Sequence, residues 1–119
     1  MPKRVLVMVR KSPYGTVYPA EALRAMMGLA AFEVKVEVLL IHDGVFLAVK
    51  DQNPEGIEMK ALGAVLPDLD EMDINKFYVC GESLKERNIT VDQLTVEAEV
   101  CTPDNFEEKL TQFDHILPF

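Results

Sequence analysis

Apolar residues fall into short blocks separated by breaks marked with proline, glycine or charge. The spacing inside the blocks alternates between strand-like and helix-like. Val5-Leu6-Val7-Met8-Val9 is uninterrupted within the span Arg4 to Arg10. A short run of this kind predicts a strand buried on both faces. Lys11 to Thr16 reads as a loop, punctuated by Pro13 and Gly15. From Pro19 to about Phe32 the spacing becomes helical. Ala22, Leu23, Met26, Met27, Leu29 and Ala30 form the apolar face, and Pro19 suits the first turn. Val34, Val36 and Val38 alternate with polar residues before Leu39-Leu40-Ile41 turns fully apolar. This predicts one strand that begins half-exposed and ends in the core. By the same alternation Glu33, Glu37, Glu97 and Glu99 are expected on the exposed halves of strands, where charge discourages edge-to-edge pairing.

His42-Asp43-Gly44 ends the second strand, and Val45 to Val49 starts a short helix. Asp51 to Gly56 reads as a loop. Between Ile57 and Asp70 a helical face of Met59, Leu62, Val65 and Leu66 competes with Gly63 and Pro67. A helical turn over Asp70 to Asn75 leads into a strand at Phe77 to Cys80 and a helix over Glu82 to Asn88. Asn88 tolerates the left-handed conformation with which a helix can end. Thr95 to Cys101 alternates as a further strand. Thr102-Pro103-Asp104 then opens a helix, with Thr102 as N-cap and Pro103 at the first position. Phe106, Leu110 and Phe113 mark its apolar face, and Ile116 to Phe119 is a last short strand. Strands alternate with helices throughout. That order predicts an α/β fold, with a mostly parallel sheet of about five strands and helices on both faces. The 119 residues suffice for a single domain, 1–119.

A hydrophobic fraction of 49% supports a packed core, and no apolar run approaches the length of a membrane span. The amino terminus runs directly into a strand and lacks a signal-peptide pattern. A cytoplasmic protein is expected. The formal net charge of −8 repels phosphate backbones, so direct nucleic-acid binding is not expected of this chain. Cys80 and Cys101 are too few for a disulfide framework, and His42 and His115 are isolated from them. The sequence calls for no metal and no cofactor.

The candidate chemistry centres on Cys80, which closes an apolar strand immediately before Gly81 and a polar helix. Ligands of open α/β sheets bind at the carboxyl ends of the strands. A helix start there supplies N–H groups and partial positive charge, which favour a thiolate. Cys101 ends the next predicted strand and is a possible second thiol at the same edge. Asp43 and Gly44 end the second strand at that edge, where an N-cap and a tight turn account for them. A place on the rim of the thiol crevice is the functional alternative. Tyr14 and Gly15 follow the first strand and are candidates to shape a pocket, without the glycine fingerprint of a phosphate loop. Lys85 and Arg87 follow Cys80 and can attract an anionic donor.

Three segments occur in a recognisable order. They are His42-Asp43-Gly44-Val45-Phe46, Val79 to Arg87 with its Cys-Gly-Glu-Ser-Leu core, and Phe113-Asp114-His115-Ile116-Leu117-Pro118-Phe119. Together they resemble the DsrE/DsrF-like family, its TusC/DsrF branch above all, over nearly the whole chain. The resemblance implies a three-layer, flavodoxin- or Rossmann-like domain. It implies sulfur relay, in which a cysteine persulfide moves between donor and acceptor proteins for tRNA thiolation or dissimilatory sulfur metabolism. It implies assembly as a homo-oligomer (trimer or hexamer) or as a hetero-oligomer with DsrE/TusD-like and DsrH/TusB-like subunits. Cys80 falls at the family's carrier position, although in the heteromeric complexes the resemblance assigns the carrier role to the DsrE/TusD-type subunit. Two expectations follow: a persulfide carrier working through Cys80, or a non-catalytic structural subunit of such a complex.

Overall fold

The computed structural model describes residues 4–11, 18–32, 34–48 and 62–119. The loops predicted over 12–16 and 51–56, and Glu33, lie outside them. Among these residues five strands are formed: β1 (Arg4–Val9), β2 (Lys35–Leu40), β3 (Phe77–Cys80), β4 (Glu99–Cys101) and β5 (His115–Pro118). They make one sheet in the order β4-β3-β2-β1-β5, and every neighbouring pair is parallel. The described helices are α1 (Tyr18–Ala31), α2 (Gly81–Glu86) and α3 (Pro103–Leu110), with 3₁₀ turns over His42–Ala48, Leu62–Met72 and Val91–Gln93.

Chain order and handedness explain the layers. From β1 to β4 the strands are laid down stepwise in one direction. Right-handed crossovers then place every connection on the same face. That face holds the larger core, in which Val7, Val9, Val38, Leu40 and Val79 of the sheet meet Ala22, Leu23 and Met26 of α1 and Leu84 of α2. The step from β4 to β5 reverses direction and crosses the whole sheet, so α3 falls on the opposite face. There Leu6, Leu39, Tyr78, Cys101 and Phe113 form a smaller cluster, with Leu110 and Met8 against it. The side chain of Phe106 is outside the described ones.

This second cluster corrects the expectation for Glu37. Its side chain is 1% exposed, not solvated. Alternation marks one face of β2 as polar, but α3 returns across that face and covers it. Arg4 donates to both carboxylate oxygens at 2.9 and 3.1 Å, and the Tyr78 hydroxyl donates at 2.7 Å. Burial pushes the Glu37 pKa up, but the Arg4 and Tyr78 hydrogen bonds outweigh it and hold the carboxyl below its ordinary value. Burial and the bond to Glu37 push the Tyr78 phenol well up. The Arg4 guanidinium also lies 4.6 Å from the Phe113 ring centre, and Lys109 of α3 lies 4.6 Å from that of Tyr78. Glu97 and Glu99 are exposed as expected.

β4 is shorter than the strand read over Thr95 to Cys101. Among the described residues its one neighbour, β3, begins at Phe77, and Tyr78 pairs with Glu99. Residues before Ala98 therefore have no ladder to join. Val96 and Ala98 pack on the larger core instead, and the Thr95 N–H bonds to the Ala48 carbonyl at 2.7 Å. The stretch before β3, in which a helical face competes with Gly63 and Pro67, is a 3₁₀ turn over Leu62–Met72 that contains Pro67 and buries Leu69. α2 ends as the sequence indicated. Asn88 takes φ 55°, and the Ile89 and Asn88 N–H groups bond to the carbonyls of Leu84 (2.9 Å) and Lys85 (3.2 Å), a Schellman closure.

Candidate functional site: a thiol cleft at the strand ends

The connections after β3 and β4 leave towards opposite faces. β3 feeds α2 on the larger core, and β4 feeds α3 on the smaller one. Neighbouring strands whose following connections part in this way open a crevice at their carboxyl ends, the topological switch point of an α/β sheet. A cleft of about 300 Å³ occupies that position. Its floor is Cys80 with Ile41 and His42 from the end of β2. α2 contributes Glu82, Ser83 and Glu86 to one lip, and Thr102, the N-cap of α3, forms the other with Glu107 from the middle of that helix.

Cys80 is the N-cap residue of α2 and is half-buried. Cys101 sits directly beside it in register on β4 and is buried. Both thiols are free. Burial pushes the Cys101 thiol pKa up, and Lys109 offsets this only in part. Gly81 allows the close approach of β4 to α2. A Cβ there would lie 3.0 Å from Val100 Cγ1 and 3.4 Å from the Cys101 carbonyl oxygen.

Asp43 and Gly44 are not among the residues that line the cleft. Asp43 accepts a 3.0 Å bond from Arg87 Nε, and Arg87 Nη1 also donates to the Ser83 carbonyl at 3.2 Å. This ion pair ties the turn after β2 to the end of α2. A Cβ on Gly44 would lie 1.9 Å from the Val9 carbonyl oxygen, so only glycine lets this turn pass the end of β1. The Gly44 N–H bonds to the Ile41 carbonyl at 2.9 Å. Tyr14 and Gly15 lie outside the described residues. Arg87 is engaged by Asp43 and Glu86, and Lys85 is exposed.

Ser83 and the carboxylates of the cleft rim were not singled out from the sequence, and His42 and Thr102 were read only as a strand end and a helix cap. Ser83 is 3% exposed, and its Oγ accepts the His42 N–H at 2.8 Å, fixing the cleft floor to α2. His42 itself has φ 54°, a left-handed turn that swings the chain away from β2. Glu82, Glu86 and Glu107 give the cleft an acidic rim. The Thr102 N–H bonds to Asn105 Oδ1 at 3.0 Å and sets the start of α3 at the second lip. The Cys-Gly-Glu-Ser string held part of this signal, since Ser83 follows the cysteine by three residues. The meeting of α2 with α3 was not in any local pattern.

The sequence profile of the DsrE/DsrF-like family matches residues 3–119. The chain belongs to the DsrE/DsrF-like family. Two relatives place it further within this family. The intracellular sulfur oxidation protein DsrF of Allochromatium vinosum is 35% identical over 115 residues, which cover 97% of this chain and 81% of that protein. A protein TusC homolog of Vibrio parahaemolyticus is 30% identical over 112 residues, 94% of this chain and 95% of that protein. The crystal structure of the ychN protein from E. coli matches with a TM-score of 0.81 at 23% identity, covering 100% of both chains. At that identity the likeness is one of fold. The DsrE/DsrF-like fold thus agrees with the parallel α/β architecture expected from the alternation of strands and helices.

Proposed function

We propose that this chain is a sulfur-relay protein in which Cys80 receives a sulfane sulfur and passes it on. The observation that carries the reading is the place of Cys80: a half-buried free thiol at the floor of the cleft between β3 and β4. The names of the relatives support the chemistry, one as an intracellular sulfur oxidation protein and others as TusC.

In the proposed cycle the Cys80 thiolate attacks the outer sulfur of a donor persulfide. A new S–S bond forms on Cys80, and the donor leaves as a thiolate. An acceptor thiolate then attacks the outer sulfur of the Cys80 persulfide. The sulfur moves on, and Cys80 is restored as the leaving thiolate. No net oxidation occurs, so neither metal nor cofactor is required. The partners are donor and acceptor proteins, within a homo-oligomeric assembly or one shared with DsrE/TusD-like and DsrH/TusB-like subunits. The carboxylates of Glu82, Glu86 and Glu107 favour a partner that brings positive charge to the cleft. Free thiols of this kind persist in a reducing compartment such as the cytoplasm. Among the described residues no helix is long and apolar enough to cross a membrane.

The test is intact-mass spectrometry after incubation with a persulfide donor, on the wild type and on Cys80→Ser. A gain of one sulfur on the wild type alone is expected. No gain on either, with Cys80 slow to alkylate in the folded protein, overturns the carrier role. It would favour a structural subunit of a sulfur-relay complex.

A further inference from the structure

Cys80 and Cys101 are paired residues on adjacent parallel strands. In a parallel ladder, aligned residues point to the same face of the sheet. Neighbouring strands run about 4.8 Å apart, inside the window of about 4.4–6.8 Å between Cα atoms that a disulfide spans. The two thiols differ in access. Cys80 is half-buried and faces the cleft, whereas Cys101 is 2% exposed beneath α3. Among the described residues β4 is a three-residue edge strand held on one side, so a small shift of the chain at Cys101 disturbs no second described ladder. Gly81 leaves the carbonyl of Cys101 free to lie close to the start of α2.

We infer that the two cysteines form a dithiol pair in which Cys101 is the resolving thiol for sulfur adducts on Cys80. This rests on the proposed carrier role only for the persulfide adduct. For that adduct, Cys101 gives up its proton and attacks Cys80 Sγ. The Sγ–Sγ bond forms and the bond to the outer sulfur breaks. The outer sulfur leaves with the electron pair and a proton as hydrosulfide. The sulfane sulfur is reduced and the two cysteine sulfurs are oxidised, so no further oxidant enters. For a mixed disulfide from a small disulfide reagent the same attack expels the reagent's thiolate. Either way Cys80 ends locked in an internal disulfide that accepts no more sulfur until it is reduced. A persulfide not collected by an acceptor is thereby discharged.

The experiment treats the folded chain and Cys101→Ala with Ellman's reagent in one arm and glutathione persulfide in the other. The wild type is expected to release about two equivalents of thionitrobenzoate, retain none, and become lighter by two hydrogens. Peptide mapping should then show Cys80 joined to Cys101. Cys101→Ala should release one equivalent and retain one on Cys80. In the persulfide arm the variant should hold its added sulfur at least about tenfold longer than the wild type, which converts to the cross-linked form. A stable thionitrobenzoate adduct on wild-type Cys80, with Cys101 still a thiol, overturns the pairing. So does an added sulfur mapped to Cys101, which would make it a second relay station. If Cys80 of the variant takes up no sulfur while the wild type cross-links with Ellman's reagent, the carrier reading fails and the dithiol pair stands.

Discussion

Glycine 44 and glutamate 37 show how a single side chain, or its absence, holds this molecule together. The Cβ of an alanine at 44 would sit inside the Val9 carbonyl. That contact is backbone, so the turn after β2 must move, and the end of β1 with it. Gly44→Ala is expected to cost about 3 kcal/mol or more, read as the loss in urea midpoint. Glu37 acts through charge. Its carboxyl is held below the ordinary value by Arg4 and Tyr78 against the cost of burial. A group with a lowered folded pKa stabilises the fold above its unfolded pKa, and loses that contribution as pH falls through the folded one. Urea unfolding of the wild type should therefore weaken as pH drops below about 4. Glu37→Gln should lower stability at neutral pH and flatten that acid limb; an unchanged slope would remove Glu37 as its source. Asp43 reads as an N-cap in the sequence, but it lies inside the 3₁₀ turn His42–Ala48 and pairs instead with Arg87. The pair is separated by 44 positions and exists only once α2 has folded.

At the scale of elements, the sequence carried local rules well and crossings poorly. Asn88 announced the end of α2, and the observed φ of 55° shows why an asparagine serves there. Asn88→Gly should add about 0.5–1 kcal/mol, because glycine meets no Cβ penalty in that conformation. Thr102-Pro103 announced α3 in the same way. β4 was read too long because alternation over Thr95 to Ala98 says nothing about where β3 begins. Glu37 was misread because alternation cannot show that a helix 66 positions later lies over its face. The cleft shares this origin: Cys80 was legible at its strand end, but Glu86 and Glu107 meet only through the divergence of α2 and α3. The acidic rim has a measurable effect. Cys80 should react several-fold faster with neutral iodoacetamide than with anionic iodoacetate, relative to a small free thiol. Added salt should narrow the gap. Glu86→Gln with Glu107→Gln should narrow it at low salt, and a gap indifferent to both would deny the rim its electrostatic role.

Across the whole molecule, the sheet order closes the two ends of the described chain onto each other. β5 runs beside β1, with Val5 opposite His115, and the Arg4 N–H reaches Asp114 Oδ2 at 2.7 Å. The Phe119 N–H bonds to the Met8 carbonyl and the Arg10 N–H to that of Phe119, both at 2.8 Å. Removing residues 115–119 should uncover one full edge of β1 and part of the core. Such a truncation should unfold at a lower urea midpoint and self-associate, as seen by light scattering. A truncated chain that stayed monomeric at wild-type stability would show β5 to be dispensable.

That pairing joins strands 110 positions apart. On a ribosome, β1 emerges 110 positions ahead of β5 and is expected to wait with that edge open until β5 is released. The β1 edge of the sheet therefore closes only once β5 is available. The docking of β5 is then expected to come late, and a chaperone that shields a bare strand edge has a long opportunity at β1.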